Sequence, residues 1–145
     1  MAREPLVFSG RGIVRGEASA RAILSNSPIS FLGDVDIRSG TVIGELNDLE
    51  GRKLTGRVLV APSTRGSAGA WRFLYQLKQH GSNPVALVLD ELPDPSVVQG
   101  AILSAIPVVS DIDRAFRASI RDGDWLAVNG TAGTVTVLRE PAQSP

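Results

Sequence analysis

An arginine and a serine lie two residues apart in a loop that precedes an amphipathic helix. Arg65, Gly66 and Ser67 follow the short apolar run 58–60. After them, apolar residues recur at helical spacing: Ala70, Phe73, Leu74 and Leu77. Unpaired N–H groups in a first helical turn, the positive end of the helix dipole and a guanidinium together favour an anion. The spacing therefore predicts a site for a carboxylate or a phosphate, and the same field would stabilise an ionised oxygen on Ser67.

The same residues also have a purely structural explanation. Serine is among the best N-cap residues, and Ser67 falls where the helix is predicted to begin. An arginine in a loop is usually solvated, and Arg65 could instead hold the loop or a subunit interface. Spacing alone leaves these alternatives open.

Longer blocks of the sequence resemble a known family. Residues 29–69, ISFLGDVDIRSGTVIGELNDLEGRKLTGRVLVAPSTRGSAG, and residues 84–109, PVALVLDELPDPSVVQGAILSAIPVV, resemble the small subunit of the aconitase X family. The family pattern is an ISF-x-G-x-VD segment, a G-x-VLV-x-P strand, an RGS turn and a GAI-x-A-x-P segment. The combination is specific, although RGS alone is not.

The resemblance implies that this chain supplies one part of the active site of a hydro-lyase. Aconitase X enzymes are dehydratases in which a large subunit or domain holds an iron–sulfur or iron centre. Known family substrates include mevalonate 5-phosphate and cis-3-hydroxy-L-proline, which both carry a hydroxyl β to a carboxylate. The serine of the RGS turn is the family's proton acceptor, and that role carries over to Ser67. Arg65, with Gly66, is the natural group to bind the substrate carboxylate.

The chain departs from the family pattern around these residues. Thr64 replaces a glycine before Arg65, and Ala68, Gly69, Ala70 and Trp71 replace small hydroxylated residues after Ser67. The lost hydroxyls favour a hydroxyproline-type acid slightly over mevalonate 5-phosphate. Asp34 also stands where a second glycine is common after Gly33.

Composition agrees with one small domain and excludes several classes of function. The 15 basic and 15 acidic residues give a formal net charge of zero, so no basic footprint for nucleic acid is visible. No apolar run is long enough for a membrane span, and the N-terminus lacks a signal-peptide core, so we expect a cytoplasmic protein. The chain has no cysteine, hence no thiolate for a cluster. We expect no cofactor or metal on this chain, and iron on a large-subunit partner.

Periodicity predicts a mixed α/β fold, and the resemblance specifies a single swivelling β/β/α domain over residues 1–145, with a core at about 6–139. It would resemble the mobile domain of aconitase, with a mixed or barrel-like sheet. The expected strands are two within residues 6–24, more within 28–46, then 58–60, 84–90, 106–109 and a hairpin in 124–139. The expected helices run from Ser67 to His80, from 96 to 103 and from 111 to 120, followed by a frayed tail at 140–145.

Other polar residues fit structural roles better. His80 lies at a helix end, and Asp111 suits a helix start with Ile112, Ala115 and Phe116 inward. Three acidic residues after a strand read as a solvated loop rather than a cation site: Asp90, Glu91 and Asp94.

Three functions remain compatible with the sequence. The first is the small catalytic subunit of a dehydratase that acts on a β-hydroxy carboxylate. The second is a module that binds carboxylate or phosphate without chemistry, and the third is a scaffold subunit of a larger complex.

Overall fold

The computed structural model describes residues 5–45, 47–65 and 68–138 of the chain. The strands are β1 (Leu6–Ser9), β2 (Arg11–Val14), β3 (Glu17–Leu24), β4 (Val58–Ala61), β5 (Ala86–Leu89), β6 (Val108–Ser110), β7 (Trp125–Asn129) and β8 (Thr134–Leu138). The helices are α1 (Ala70–Gln79), α2 (Pro95–Ser104) and α3 (Ala115–Ser119). In these residues no helix is both long and apolar enough to cross a bilayer.

The strands form one mixed sheet in the order β1-β8-β7-β3-β4-β5-β6-β2. Its centre is parallel, because β3, β4, β5 and β6 pair in the same direction. Strands β4 and β5 are buried along their whole length, as expected of a parallel sheet covered on both faces. The expected mixed sheet is confirmed. It is open rather than barrel-like, since the strand order ends at β1 and β2.

Two hydrophobic clusters cover the faces of the parallel strands. On one face, Leu59 and Leu87 pack with Leu74 of α1, Val97 of α2 and residues of the segment 29–54. On the other face, Val60 and Val88 pack with Phe116 of α3 and with the antiparallel strands β7 and β8. Helices α1 and α2 thus cover one face of the parallel strands, whereas α3 and the antiparallel strands β7 and β8 cover the other.

Two predicted strand regions differ from the structure. Residues 6–24 form three strands rather than two, because Gly10 and Gly16 each interrupt the chain. The predicted strands in 28–46 are wrong for the described residues, which form only isolated bridges such as Val35 with Val42. Val42 is buried, but the neighbouring Ile43 is 52% exposed, so this segment packs as turns against the core. Leu46 lies outside the described residues.

The predicted helix at 111–120 is shorter than expected. Asp111 does not start it, because its backbone lies in the left-handed region with φ 50° directly after β6. Asp113 takes the capping role, since its Oδ1 accepts a hydrogen bond of 2.9 Å from the backbone N–H of Ala115. Ile112 and Phe116 are buried as predicted, and Ile120 is buried as well, whereas the predicted inward position of Ala115 is wrong because this residue is exposed. The predicted tail at 140–145 lies outside the described residues.

Candidate functional site

The carboxyl ends of the four parallel strands meet at one edge of the sheet, the usual location of ligand sites in α/β folds. The loop after β4 contains Thr64 and Arg65 and leads to α1. We call residues 62–69 the β4–α1 loop. The loops after β3, β5 and β6 border the same edge.

The backbone of the β4–α1 loop is fixed by a second segment. The N–H of Ile29 donates to the carbonyl of Ser63 at 3.2 Å, and the N–H of Arg65 donates to the carbonyl of Ile29 at 2.9 Å. These two bonds form a parallel bridge between Ile29 and Thr64. Ile29 is fully buried, so the bridge ties the loop directly to the core.

The loop after β5 holds the β4–α1 loop from the other side. The hydroxyl of Thr64 donates to Oδ2 of Asp94 at 3.0 Å, and the N–H of Glu91 donates to the carbonyl of Pro62 at 3.1 Å. Asp94 is the N-cap residue of α2 by backbone position. Its carboxylate therefore holds the β4–α1 loop, whereas the sequence predicted only a solvated acidic loop here.

Helix α1 begins later than predicted. It starts at Ala70 with Gly69 as N-cap residue, so the expected start at Ser67 is wrong. Ser96 of α2 serves this helix end: its hydroxyl accepts from the N–H of Trp71 at 3.0 Å and donates to the carbonyl of Ala68 at 3.1 Å. One first-turn N–H is thus already occupied, and the helix end offers an anion fewer free donors than the sequence suggested.

A glycine lets α2 approach the start of α1 closely. A Cβ on Gly100 would lie 2.9 Å from Cα of Trp71 and 3.2 Å from Cβ of Leu74. Because the first of these neighbours is backbone, a side chain at this position would push the helices apart. Close contact between the helices therefore fixes the direction in which the β4–α1 loop enters α1.

Arg65 extends from this loop into solvent and contacts one carboxylate. Its Nη2 lies 3.4 Å from Oδ2 of Asp34. The side chain of Arg65 is 64% exposed, whereas that of Asp34 is only 16% exposed. The same Asp34 Oδ2 accepts a hydrogen bond of 3.0 Å from the backbone N–H of Ser30. The guanidinium is thus held at one point by a mostly buried partner.

A second charged cluster lies farther along the same edge. A cavity of about 620 Å³ is lined by Asp90, Asp111, Ile112, Asp113, Arg114 and Arg117. Nε of Arg117 donates to Oδ2 of Asp90 at 3.0 Å, and its Nη1 donates to the carbonyl of Ser25 at 2.9 Å. Arg117 therefore links α3 to the loops after β3 and β5.

The loop after β3 is itself held by Asp48. Burial raises the pKa of Asp48, but hydrogen bonds from the N–H of Asn26 and from the hydroxyls of Ser25 and Ser27 outweigh it. The net result is a pKa below the usual value of 3.8. The hydroxyl of Ser25 donates at 2.8 Å, and the N–H of Asn26 donates at 2.7 Å.

The predicted site residues are only partly described. Arg65 is placed at the sheet edge, whereas Gly66 and Ser67 lie outside the described residues. The residues on either side of them, Arg65 and Ala68, are hydrogen bonded to Ile29 and Ser96. Within the described ranges, no group of three or more His, Cys, Asp or Glu could hold a metal ion.

Sequence reasoning missed two residues of this site. Asp34 had one signal, a charged residue where the resembling family commonly has glycine, but nothing in the sequence linked it to Arg65. Ser96 had no signal beyond its place in a predicted helix. Both contacts join residues 25 or more positions apart, which local patterns do not report.

Comparisons with known proteins show which family this chain is similar to. The family model described as aconitase X swivel domain matches residues 7–137. The phosphomevalonate dehydratase small subunit of Methanosarcina acetivorans is 40% identical over 93% of each chain. The protein of the same name from Pyrococcus horikoshii is 34% identical over 92% of this chain and 96% of its own.

A solved structure has the same fold. The crystal structure of Thermococcus kodakaraensis aconitase X in its holo-form superposes with a TM-score of 0.86 at 34% identity. The match covers 92% of this chain and 99% of that chain. The expected swivelling-domain fold is therefore confirmed.

Proposed function

This chain belongs to the aconitase X swivel-domain family, and we propose that it is the small subunit of a two-subunit dehydratase acting on mevalonate 5-phosphate. The relatives carry the name phosphomevalonate dehydratase small subunit and align over nearly their whole length. The observation that supports a role in catalysis is the exposed guanidinium of Arg65 in a loop whose backbone is tied to neighbouring segments; Ser67 follows two residues later in the sequence.

The proposed chemistry divides between two residues of this chain. Arg65 binds the substrate carboxylate through paired N–H donors, which orients the carbon that bears the acidic hydrogen. Ser67, as the alkoxide, accepts the proton from that carbon, and the electron pair of the broken C–H bond forms the carbon–carbon double bond as the C–O bond breaks. The departing hydroxide takes up that proton and leaves as water, which regenerates the alkoxide. A serine oxygen is a poor base in water, so docking of the large subunit must exclude solvent and strengthen the interactions with nearby cations and dipoles.

An iron–sulfur cluster does not fit this chain. Its residues include no cysteine, and the single histidine, His80, lies at the far end of α1. We therefore place iron on the large subunit and route no step of this chain's chemistry through it. The small subunit supplies the proton acceptor and the anion-binding residue, and the assembly is a heterodimer at minimum.

The substrate proposal follows the relatives rather than the loop composition. The slight preference for a hydroxyproline-type acid depended on the absence of hydroxyls after Ser67. Backbone N–H groups can bind a phosphate without those hydroxyls, and the named relatives favour the phosphorylated acid. The hydroxyproline-type substrate stays a prediction for direct comparison.

Co-expression with the large subunit encoded in the same organism tests the proposal. The purified complex should release water from mevalonate 5-phosphate, while the chain alone should be inactive and free of iron. Ser67→Ala should reduce turnover by about a hundredfold or more without loss of assembly. Activity on cis-3-hydroxy-L-proline alone would reverse the substrate, and activity on neither would leave the binding or scaffold function as the better explanation.

A control substitution at a second serine distinguishes a catalytic role of Ser67 from a general effect of replacing serine by alanine. Ser104 lies on α2, away from the β4–α1 loop, and its replacement by alanine should leave turnover unchanged. If Ser67→Ala and Ser104→Ala behave alike, Ser67 is not the proton acceptor. Recovery of the small chain alone from a gentle pull-down in the native host would contradict the heterodimer.

A further inference from the structure

We propose that Asp34 is a positioning residue that holds the Arg65 guanidinium in the orientation that binds the substrate carboxylate; this inference rests on the function proposed above. The two residues are 31 positions apart and meet only through the fold. Asp34 belongs to the turn segment beside the β4–α1 loop, in which its carbonyl accepts from the N–H of Ile43 at 2.7 Å and from that of Gly44 at 3.2 Å.

The carboxylate of Asp34 has little freedom to move. Its Oδ2 accepts from the backbone of Ser30 at 3.0 Å, and its side chain is only 16% exposed. On the opposite side it lies against Gly44, where an added Cβ would come within 2.5 Å of Oδ1 and 2.8 Å of Cγ. A longer side chain at position 44 would therefore displace the carboxylate. Gly44 leaves the space that Asp34 occupies.

The contact between Asp34 and Arg65 adds little to the stability of the loop. The backbone of Arg65 is already fixed by its 2.9 Å bond to Ile29. The side-chain contact is long, at 3.4 Å, and one partner is 64% exposed, a combination that contributes little to folding. Its remaining effect is on the direction of the guanidinium.

The geometry leaves Arg65 available for a ligand. A guanidinium has five N–H donors in a fixed plane, and the contact with Asp34 uses the Nη2 end. The side chain of Arg65 is 64% exposed, so a ligand can reach the guanidinium beside its contact with Asp34. A long, flexible side chain loses rotamer freedom when it binds, and an anchor already in place reduces that loss at the moment of binding. The expected signature is an effect on KM rather than on kcat.

Two variants test the anchor in the assembled enzyme. Asp34→Asn keeps the shape and an acceptor for Ser30 but removes the charge. Gly44→Ala leaves Asp34 in the sequence and displaces its side chain; the backbone of Gly44 is not in the left-handed region, so alanine fits the chain there. Each should raise KM for mevalonate 5-phosphate about three- to tenfold and change kcat less than about twofold. Asp34→Glu keeps the charge, but its longer side chain does not fit in the space beside Gly44 that Asp34 fills. KM should therefore be raised in this variant as well.

A double-mutant cycle assigns the effect to Arg65. In an Arg65→Met background, Asp34→Asn should change KM by less than about 1.5-fold, since no guanidinium remains to be positioned. An equal effect in both backgrounds would overturn the proposal, as would an unchanged or lowered KM in Asp34→Asn. A lowered KM would identify Asp34 as a competitor of the substrate.

A second readout does not depend on turnover. In the complex assembled with 15N-arginine-labelled small subunit, the Nη signals of Arg65, identified by their loss in Arg65→Met, should be resolved because rotation is hindered. In Asp34→Asn and in Gly44→Ala, faster rotation of the Arg65 guanidinium should merge the Nη signals into an average. Equal averaging in the parent and both variants overturns the anchor. If the parent complex dehydrates neither substrate, the proposed function fails, and these signals still decide whether Asp34 holds Arg65.

Discussion

Arg65 and Arg117 lie near the same edge of the sheet, and each contacts an aspartate. Arg117 is 26% exposed, pairs with Asp90 at 3.0 Å and donates a second hydrogen bond to the carbonyl of Ser25. Arg65 is 64% exposed, and within the described part of the chain its ion pair with the mostly buried Asp34 is longer, at 3.4 Å. In the first pair the arginine joins three elements of the fold. In the second pair the aspartate is the fixed partner and the arginine faces solvent.

The comparison suggests a criterion: we expect burial of the guanidinium itself to mark an arginine that stabilises the fold, and burial of its carboxylate partner alone to mark one that is available to a ligand. A partly buried guanidinium with several protein acceptors stabilises the structure around it, and its removal leaves those acceptors unpaired. An exposed guanidinium on a buried anchor contributes little to folding and keeps its donors for a ligand. The two arginines should therefore respond in opposite ways to the same substitution.

Arg65→Met should produce the largest effect, and that effect should be on activity. Loss of two charge-assisted hydrogen bonds to the substrate carboxylate should reduce kcat/KM of the complex about a hundredfold. The free energy of unfolding should fall by no more than about 1 kcal/mol, because Arg65 is exposed and Asp34 keeps its hydrogen bond from Ser30. Steady-state kinetics and chemical denaturation provide the two measurements. Arg65→Lys keeps the charge without the planar fork and should recover only part of the activity.

Arg117→Met should do the reverse. Removing one partner of a fully buried pair costs about 3–5 kcal/mol, and partial exposure of this pair reduces the expected loss to about 2 kcal/mol. Because Arg117 does not contact the β4–α1 loop in the described bonds, kcat/KM should change less than about threefold at a temperature where the variant is folded. A large loss of activity with unchanged stability would contradict the division between the two arginines.

Ser96→Ala should weaken the attachment of the β4–α1 loop. The substitution removes the acceptor of the Trp71 N–H and the donor to Ala68, so unfolding should become easier by about 1 kcal/mol, with a several-fold loss of kcat/KM. Ser104→Ala on the same helix is the matched control, since the Ser104 hydroxyl is buried without a hydrogen-bond partner in the described structure. Its removal should be neutral or slightly stabilising. Equal effects of both substitutions would mean that Ser96 has no special link to the site.

Asp48→Asn should give the smallest effect, and the effect should depend on pH. The pKa of Asp48 is lower in the folded chain than the unfolded value of 3.8, so its carboxylate stabilises the fold above that value. This contribution is lost as the pH falls through the folded pKa. The variant should be less stable than the parent by about 1 kcal/mol or less at pH 7, and the difference should vanish near pH 2. A difference that persists at low pH would exclude charge as its cause.

Local sequence patterns correctly predicted those helices and strands whose apolar residues follow one clear periodicity. The stripe of α1 is observed, with Ala70, Leu74 and Leu77 buried and Phe73 packed against the core. The apolar runs of β4 and β5 and the hairpin of β7 and β8 were predicted for the same reason. Gly81 follows α1 with φ 68°, the left-handed conformation that a C′ glycine adopts at the end of a helix.

The sequence failed where tertiary contacts decide the local conformation. Val42 and Ile43 have strand propensity, but their segment forms only isolated bridges among the described residues. Its backbone partners come from other turns: Asp34 accepts from the N–H of Ile43, and Lys53 bridges to Thr41. Helix α1 starts at Ala70, where Ser96 from another helix accepts from one N–H of its first turn. The contact of Asp34 with Arg65 depends on the fold as a whole, so no pattern within a window could predict it.

The order of the strands constrains the order in which the protein can be completed during synthesis. Strand β1 pairs with β8, and strand β2 pairs with β6, so the first two strands of the chain wait for partners made much later. Leu6 pairs with Val137, which is 131 residues farther on (137 − 6). At about 5–20 residues per second on a ribosome, this interval is roughly 7 to 26 seconds. Until then the first strand has no partner, and the antiparallel layer over α3 cannot close.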